Sequence, residues 1–182
     1  MAAGRVAPLT CGANRRRNGA APVIEAWRIV KRRFASTAFD GKGAQRFGGR
    51  WNSPGRPVVY TSESRALALL EILAGLGSTT PLPAWTLIAV RFPKEFALAA
   101  VELPGGLPPG WDAAPPSHVS RQVGDRWLDE RASAVLRVPS VIVPAECNFL
   151  LNPAHPDFSG IETGSPEPLR LDPRLGDPPA GG

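Results

Sequence analysis

Glu71 is the position in this 182-residue sequence whose surroundings most suggest chemistry. Leu67, Leu70 and Ala74 share its stripe at helical spacing, and the other faces of the segment are also apolar, so we expect most of this helix to be buried. A lone carboxylate on a buried helix costs free energy unless it has a partner. Two explanations remain open: a structural ion pair with an arginine, or a carboxylate in the wall of a ligand cleft.

A glycine-rich loop over residues 39–52 carries three cationic side chains, Lys42, Arg46 and Arg50. Glycines let backbone N–H groups approach an anion, and the cations suit phosphate groups. The loop lacks the Gly-Lys-Ser/Thr ending of a P-loop, and it does not open a helix directly after a strand as a dinucleotide-binding Rossmann turn does. Phosphate contact and a plain surface loop therefore both remain open.

Arg28 and Tyr60 lie on strand-like segments on either side of this loop. Arg28 shares one side of its strand with Ala26 and Val30, which fits either a side chain that extends its charge to solvent at a sheet edge or a clamp for a ligand. Tyr60 is the only tyrosine, and it ends the strand that leads to the Glu71 helix. As a core aromatic residue it needs a partner for its hydroxyl.

Several kinds of site lack the residues that they require. Only two cysteines and two histidines are present, and their spacing fits neither a disulfide scaffold nor a metal centre, so we expect no metal. There is no Gly-x-Ser-x-Gly elbow of a serine hydrolase. No apolar run reaches the roughly 20 residues that span a bilayer, and the N-terminus lacks the apolar region of a secretory leader. These observations predict a cytoplasmic protein with no membrane partner.

The net charge of the chain is +5, from 21 Lys and Arg residues against 16 Asp and Glu residues. Residues 1–33 hold eight basic residues against Glu25 alone, a balance of +7, which leaves −2 for all that follows. A nucleic-acid-binding domain carries its basic stripe on the folded surface. We therefore expect a flexible basic leader over residues 1–22 and no direct nucleic-acid partner. A non-catalytic nucleotide-sensing or DNA-associated module remains the alternative.

Short strands and two helices are the elements that must position these residues. The expected strands lie near 23–30, 57–61, 84–92, 96–103 and 134–144, and the expected helices near 64–76 and 119–131. Ser62 is the expected cap of the first helix, and Pro139 implies an edge strand or a bend. This order favours one α+β domain over residues 23–175, followed by a flexible tail over 176–182.

Seven short runs form an ordered set along the chain. They are Trp-Arg-Ile at 27–29, Gly-Gly-Arg-Trp-Asn-Ser-Pro-Gly at 48–55, Val-Val-Tyr-Thr at 58–61, Ala-Leu-Leu-Glu at 68–71, Val-Pro-Ser at 138–140, Pro-Ala-Glu-Cys-Asn-Phe at 144–149 and Asn-Pro-Ala-His-Pro-Asp-Phe at 152–158. Together they resemble the RES domain over about residues 24–175, and the run at 48–55 is highly specific.

RES domains are toxins of bacterial type II toxin–antitoxin pairs. The resemblance implies a split, mostly antiparallel β core with a few helices, similar to ADP-ribosyltransferases of the diphtheria-toxin kind. It implies an enzyme that cleaves the nicotinamide–ribose bond of its co-substrate NAD+ and passes ADP-ribose to a protein, to phosphate or to water. It also implies a cognate Xre-like antitoxin that blocks the NAD+ cleft, and a protein target such as phosphoribosyl pyrophosphate synthetase.

The resemblance places the family's active-site residues on Arg28, Arg50, Tyr60, Glu71 and Ser140. By this resemblance, Glu71 stabilises the positive charge that builds on the ribose during bond cleavage. Arg28 and Arg50 hold the pyrophosphate by charge-assisted hydrogen bonds, with Lys42 as a further phosphate contact. Tyr60 stacks on the nicotinamide ring, and Ser140 orients the ribose or supports Arg28.

Overall fold

The computed structural model describes residues 22–75 and 84–172. The predicted tail over 176–182, and all of the predicted leader except Pro22, lie outside this part. Within it, the chain forms the α+β domain that the sequence predicts, built on one curled sheet of eight strands. The predicted likeness to diphtheria-toxin-type enzymes remains a prediction.

The strands are β1 (Val23–Lys31), β2 (Val59–Ser62), β3 (Trp85–Pro93), β4 (Ala97–Ala99), β5 (Val135–Pro139), β6 (Cys147–Leu151), β7 (Glu162–Thr163) and β8 (Glu167–Leu169). The α-helices are α1 (Lys42–Phe47), α2 (Arg65–Gly75) and α3 (His118–Glu130). Short 3-10 helices cover Arg32–Thr37, Lys94–Phe96, Ala100–Glu102 and Pro156–Gly160. Across the described residues, no helix is long and apolar enough to span a membrane.

The sheet runs in the order β4-β5-β6-β2-β1-β3-β7, with β8 also paired to β3. Among the described strands, only the β4–β5 pairing is parallel. β1 pairs with β3 along its whole length, from Val23 opposite Pro93 to Lys31 opposite Trp85. β2 and β1, in contrast, pair at one position, Trp27 opposite Ser62. The sheet therefore consists of two well-paired halves that part between β1 and β2, and the predicted split core is found at this place.

Two apolar clusters hold the sheet together. The inner face of α3 buries Trp127 against Leu136 of β5 and Leu150 of β6. In the second cluster, Phe92 of β3 meets Phe149 of β6 edge to face, with 5.5 Å between the ring centroids. Full burial of each such side chain contributes roughly 1.5–3 kcal/mol. Side-chain packing thus joins the two halves of the sheet, which share little backbone hydrogen bonding.

The predicted helix near 119–131 and the predicted strands near 23–30 and 84–92 are confirmed as α3, β1 and β3. Of the two alternatives predicted from Pro139, the edge strand is wrong, because β5 lies between β4 and β6, and the bend is found directly after β5. Pro139 is instead the last paired residue of β5, where the chain turns away. The segment near 96–103 keeps only the three-residue strand β4.

Helix α2 is less buried than its apolar sequence predicts. Leu67 and Ala68 are its buried residues, whereas the side chain of Leu70 is 41% exposed. Its cap is Ser64, whose Oγ accepts a hydrogen bond from the backbone N–H of Leu67 at 3.0 Å. Ser62, the predicted cap, belongs to β2, and the predicted helix end at Leu76 lies outside the described residues.

The tightest contact of α3 predicts the effect of one added methyl group. A Cβ atom at Gly124 would overlap the carbonyl oxygen of Trp51. Because the nearest atoms belong to the Trp51 backbone and cannot swing aside as the end of a flexible side chain can, we expect Gly124→Ala to lower the free energy of unfolding by about 1–3 kcal/mol in urea denaturation. The matched control is Gly43→Ala in α1, where the Cβ meets nothing within 4 Å; this variant should be as stable as wild type or slightly more so. Equal stability of wild type and Gly124→Ala would contradict the close packing of α3 on the backbone of Trp51.

Candidate active site

A cavity of about 240 Å³ opens where β1 and β2 part. Its lining includes Trp27, Arg28, Tyr60, Ser62, Glu71 and Asn148. The parting of the strands therefore brings three of the predicted site residues into one cleft: Arg28 from β1, Tyr60 from β2 and Glu71 from α2.

Arg28 bridges the two halves of the sheet. Its Nη1 donates to the backbone carbonyl oxygen of Tyr60 at 2.7 Å, and so links two strands that are paired at one position. Burial lowers the pKa of Arg28 to about 10, and the nearby Asp40 carboxylate acts in the opposite direction. The buried Nε of Arg28 has no hydrogen-bond partner among the described residues. A guanidinium held in this way, with one donor unfilled, fits a ligand clamp better than a side chain extended into solvent.

Glu71 accepts hydrogen bonds from two neutral donors, and both use the same oxygen. Asn148 Nδ2 lies 2.5 Å from Oε1, and Ser140 Oγ lies 3.1 Å from it. No described residue donates to Oε2 or forms a salt bridge with Glu71. Of the two explanations that the sequence left open, the structure thus favours the carboxylate in a cleft wall over the ion pair with an arginine.

Ser140 contacts Glu71 rather than Arg28. Its buried hydroxyl accepts hydrogen bonds from the backbone N–H groups of Ile142 and Val143, each at 3.1 Å, in the turn that follows β5. With its lone pairs engaged there, the hydroxyl hydrogen is available to donate to the carboxylate. The support predicted for Arg28 is therefore not what Ser140 provides, and its contact with a ribose remains a prediction.

Asn148 is a site residue that reasoning from the sequence missed. It lies opposite Ser62 in the β2–β6 ladder, and Ser62 Oγ donates to Asn148 Oδ1 at 2.7 Å. The one signal in the sequence was its place inside the run 144–149, because a single asparagine in a strand has no pattern that indicates chemistry. Only the pairing of β2 with β6 brings its side chain into the cavity wall.

The ring of Tyr60 is fixed in the cavity wall by its hydroxyl. The hydroxyl donates to Asn52 Oδ1 at 2.8 Å and accepts from the backbone N–H of Trp51 at 3.1 Å. Asn52 is fully buried, and its Nδ2 donates to three backbone carbonyl groups, one in helix α1 and two in the loop that follows. A Cβ atom at Gly49 would lie 2.5 Å from the Tyr60 hydroxyl oxygen. The run 48–55 is thus folded tightly around the end of this side chain.

Arg50 and Lys42 do not line the cavity. Arg50 Nη1 donates to the carbonyl oxygens of Trp111 and Ala113, at 3.2 and 2.9 Å, and so ties the loop before α3 to the run 48–55. The Lys42 side chain is 78% exposed, with its Nζ 3.8 Å from Asp40. Their predicted phosphate contacts remain predictions. In the described part of the chain, no three His, Cys, Asp or Glu side chains are grouped as metal ligands.

A cation–π pair lies beside the cavity. The Arg65 guanidinium, at the start of α2, sits 4.0 Å from the ring centroid of Trp27, which lines the cavity. The pair couples the first turn of α2 to the one position at which β1 and β2 are paired. No local pattern in the sequence indicates this contact, because the two residues come from separate elements.

The sequence matches known proteins over most of its length. Residues 25–172 match the RES domain. A relative from Sphingobium sp., named Prs ADP-ribosylating toxin, is 44% identical over 153 residues that cover 82% of this chain and 94% of that protein. A relative from Yersinia enterocolitica, named Toxin Res, is 34% identical over 150 residues that cover 82% of this chain and 97% of that protein.

Among solved structures, the chain resembles the crystal structure of the M. tuberculosis MbcT–MbcA toxin–antitoxin complex. The TM-score is 0.64 at 16% sequence identity, and the match covers 82% of this chain and 85% of that chain. At this level of identity the likeness concerns the fold, and it agrees with the α+β architecture described above.

The hydroxyl of Tyr60 allows a direct test of this geometry. Burial raises its pKa above the ordinary value, and because Tyr60 is the only tyrosine, phenolate absorbance reports on it alone. We expect almost no phenolate in the native protein at about pH 10, where an ordinary tyrosine is half ionised. The protein unfolded in urea should titrate normally, and Tyr60→Phe supplies the blank.

The protonated phenol stabilises the fold fully below about pH 10, and this contribution is lost as the pH rises through the higher native pKa. A native midpoint near pH 10 would contradict the buried hydroxyl.

Proposed function

This chain belongs to the RES domain family, and from that membership we propose that it is the toxin of a toxin–antitoxin pair and acts on NAD+. The proposed reaction breaks the nicotinamide–ribose bond and transfers ADP-ribose to a protein, with phosphate and water as the other acceptors. Support comes from relatives that match most of this chain and are named Prs ADP-ribosylating toxin and Toxin Res.

The state of Glu71 in the cavity wall is the observation on which this proposal rests. Breaking the nicotinamide–ribose bond builds positive charge on the ribose C1′, as in glycoside hydrolysis. A carboxylate without a cationic partner retains its full charge for that centre. Asn148 and Ser140 hold Glu71 by one oxygen, so the other oxygen is available to a ribose hydroxyl.

Arg28 and Tyr60 fit the remaining parts of the substrate. Arg28 offers a partly buried guanidinium that lines the cavity, and such a cation suits a pyrophosphate oxygen. Tyr60 offers a ring whose position is fixed through its hydroxyl, and we propose that this ring stacks on the nicotinamide. Arg50 and Lys42 stay in the proposal as outer phosphate contacts, with support from the resemblance alone.

Two macromolecular partners complete the proposal. One is a cognate Xre-like antitoxin that blocks the cleft, which is supported by the likeness in fold to a chain from a toxin–antitoxin complex. The other is a protein acceptor of ADP-ribose, with phosphoribosyl pyrophosphate synthetase as the candidate.

Mass spectrometry after incubation with NAD+, with and without phosphate and cell lysate, separates the acceptors, because ADP-ribose, ADP-ribose-1″-phosphate and a modified protein differ in mass. Unchanged NAD+ under every condition would overturn the proposed reaction.

Replacing Glu71 tests the proposed charge stabilisation. Glu71→Gln keeps the size of the side chain and removes its charge, so we expect the rate of nicotinamide release to fall on the order of 10²–10³-fold. The thermal unfolding midpoint should change little. Glu130→Gln at the exposed end of α3 is the matched control and should react at the wild-type rate. Nicotinamide release by Glu71→Gln at the wild-type rate would show that Glu71 is not the catalytic carboxylate.

Replacing Arg28 tests the proposed pyrophosphate contact. We expect Arg28→Ala to weaken NAD+ binding by about 1.5–3 kcal/mol, or roughly ten- to hundredfold in Kd, because a charge-assisted hydrogen bond is lost. Calorimetry in the Glu71→Gln background measures binding without consumption of NAD+. Arg91→Ala, which breaks an exposed ion pair with Glu25, is the control and should bind normally. An unchanged Kd in Arg28→Ala is the result that rules out this role.

A further inference from the structure

We propose that Asn148 is a positioning residue for this reaction, one that acts only through Glu71. The inference rests on the proposed function and adds a residue to it. Asn148 Nδ2 lies 2.5 Å from Glu71 Oε1, and the side chain lines the same cavity. Of the two donors to this carboxylate, Asn148 makes the shorter hydrogen bond, since Ser140 Oγ lies at 3.1 Å.

The second end of the Asn148 side chain explains why it can hold Glu71 still. Its Oδ1 accepts from Ser62 Oγ at 2.7 Å, and Ser62 is its direct partner across the β2–β6 ladder. Because the carboxylate requires the amide nitrogen on its side, the amide has one orientation in this network. A side chain fixed at both ends loses little entropy when it positions a neighbour.

Both donors converge on Oε1, and this fixes the plane of the Glu71 carboxylate. With Asn148 and Ser140 on one oxygen, Oε2 is left for a ligand, since no described residue donates to it. Both donors are neutral, so they orient the carboxylate without cancelling its charge. Glutamate has three side-chain torsions, and a half-buried one needs such contacts to stay in a single rotamer. Asn148 therefore sets where the charge of Glu71 acts.

Loss of this contact should slow the reaction without weakening substrate binding. Asn148→Ala leaves Ser140 as the single donor to Glu71, and displacement of a reacting group by about 1 Å can cost on the order of 10²-fold in rate. We expect kcat to fall about ten- to hundredfold with KM changed less than about threefold. Asn148→Asp keeps the shape of the side chain but places a second carboxylate beside that of Glu71, and the two repel each other. The kcat of this variant should fall at least as far as that of Asn148→Ala.

The control and the double variant separate positioning from a structural role. Asn152→Ala removes a buried asparagine just after β6, whose Oδ1 accepts from the backbone N–H of Ala154. It should match the stability loss of Asn148→Ala while keeping the wild-type kcat. In the Glu71→Gln background, Asn148→Ala should slow nicotinamide release no further, because its effect passes through Glu71. An equal loss in both backgrounds, or an unchanged kcat in the single variant, would overturn the inference.

A structural readout keeps this inference testable apart from the proposed reaction. Crystal structures of Asn148→Ala and Asn152→Ala should show Glu71 in an altered or second rotamer in the first variant only. A single, unchanged Glu71 rotamer in Asn148→Ala would contradict the positioning role, whether or not the chain consumes NAD+. If wild type releases no nicotinamide while Asn148→Ala frees the Glu71 rotamer, the proposed reaction fails and the positioning contact stands.

Discussion

The separation of β1 from β2 is the constraint on which the rest of the site depends. Two neighbouring strands that pair at one position leave backbone groups without ladder partners, and burial of such groups costs free energy unless other groups bond to them. Arg28 meets part of this requirement by its hydrogen bond to the Tyr60 carbonyl oxygen. The same separation opens the cavity to side chains from β1, β2, α2 and β6. The incomplete pairing of β1 with β2 therefore creates the site.

Neutral groups supply most of the fixed geometry inside this opening. An amide and a hydroxyl hold Glu71, and an amide and a backbone N–H hold the Tyr60 hydroxyl. Such donors orient a side chain without using up its charge, whereas a salt bridge between Arg28 and Glu71 would satisfy both ions and leave little for a ligand. The aromatic and acidic walls are therefore rigid, and the two charges remain available for binding.

Local patterns made part of this site predictable. A carboxylate in an apolar helix is visible in sequence, which is why Glu71 could be found, but its donors lie 69 and 77 residues away and follow no local pattern. Ser62 and Ser64 are equally good caps by residue type, and only the place of Ser62 in the ladder decides between them. Helix α2 is less buried than its apolar residues predict for a related reason, since residue types do not show how much of a helix other elements cover. Residue type thus predicts what a side chain can do, and long-range pairing decides whether it does so.

Arg28 and Glu71 line one cavity without forming a salt bridge to each other. The cavity consequently carries a cationic group from β1 and an anionic group from helix α2 that do not neutralise each other by direct contact. For a ligand that carries negative charge at one end and develops positive charge at the other, we expect one orientation to be preferred, because the reversed one brings like charges together. The positions of the two charges are thus expected to orient a ligand in the cavity between β1 and β2, before any shape complementarity is considered.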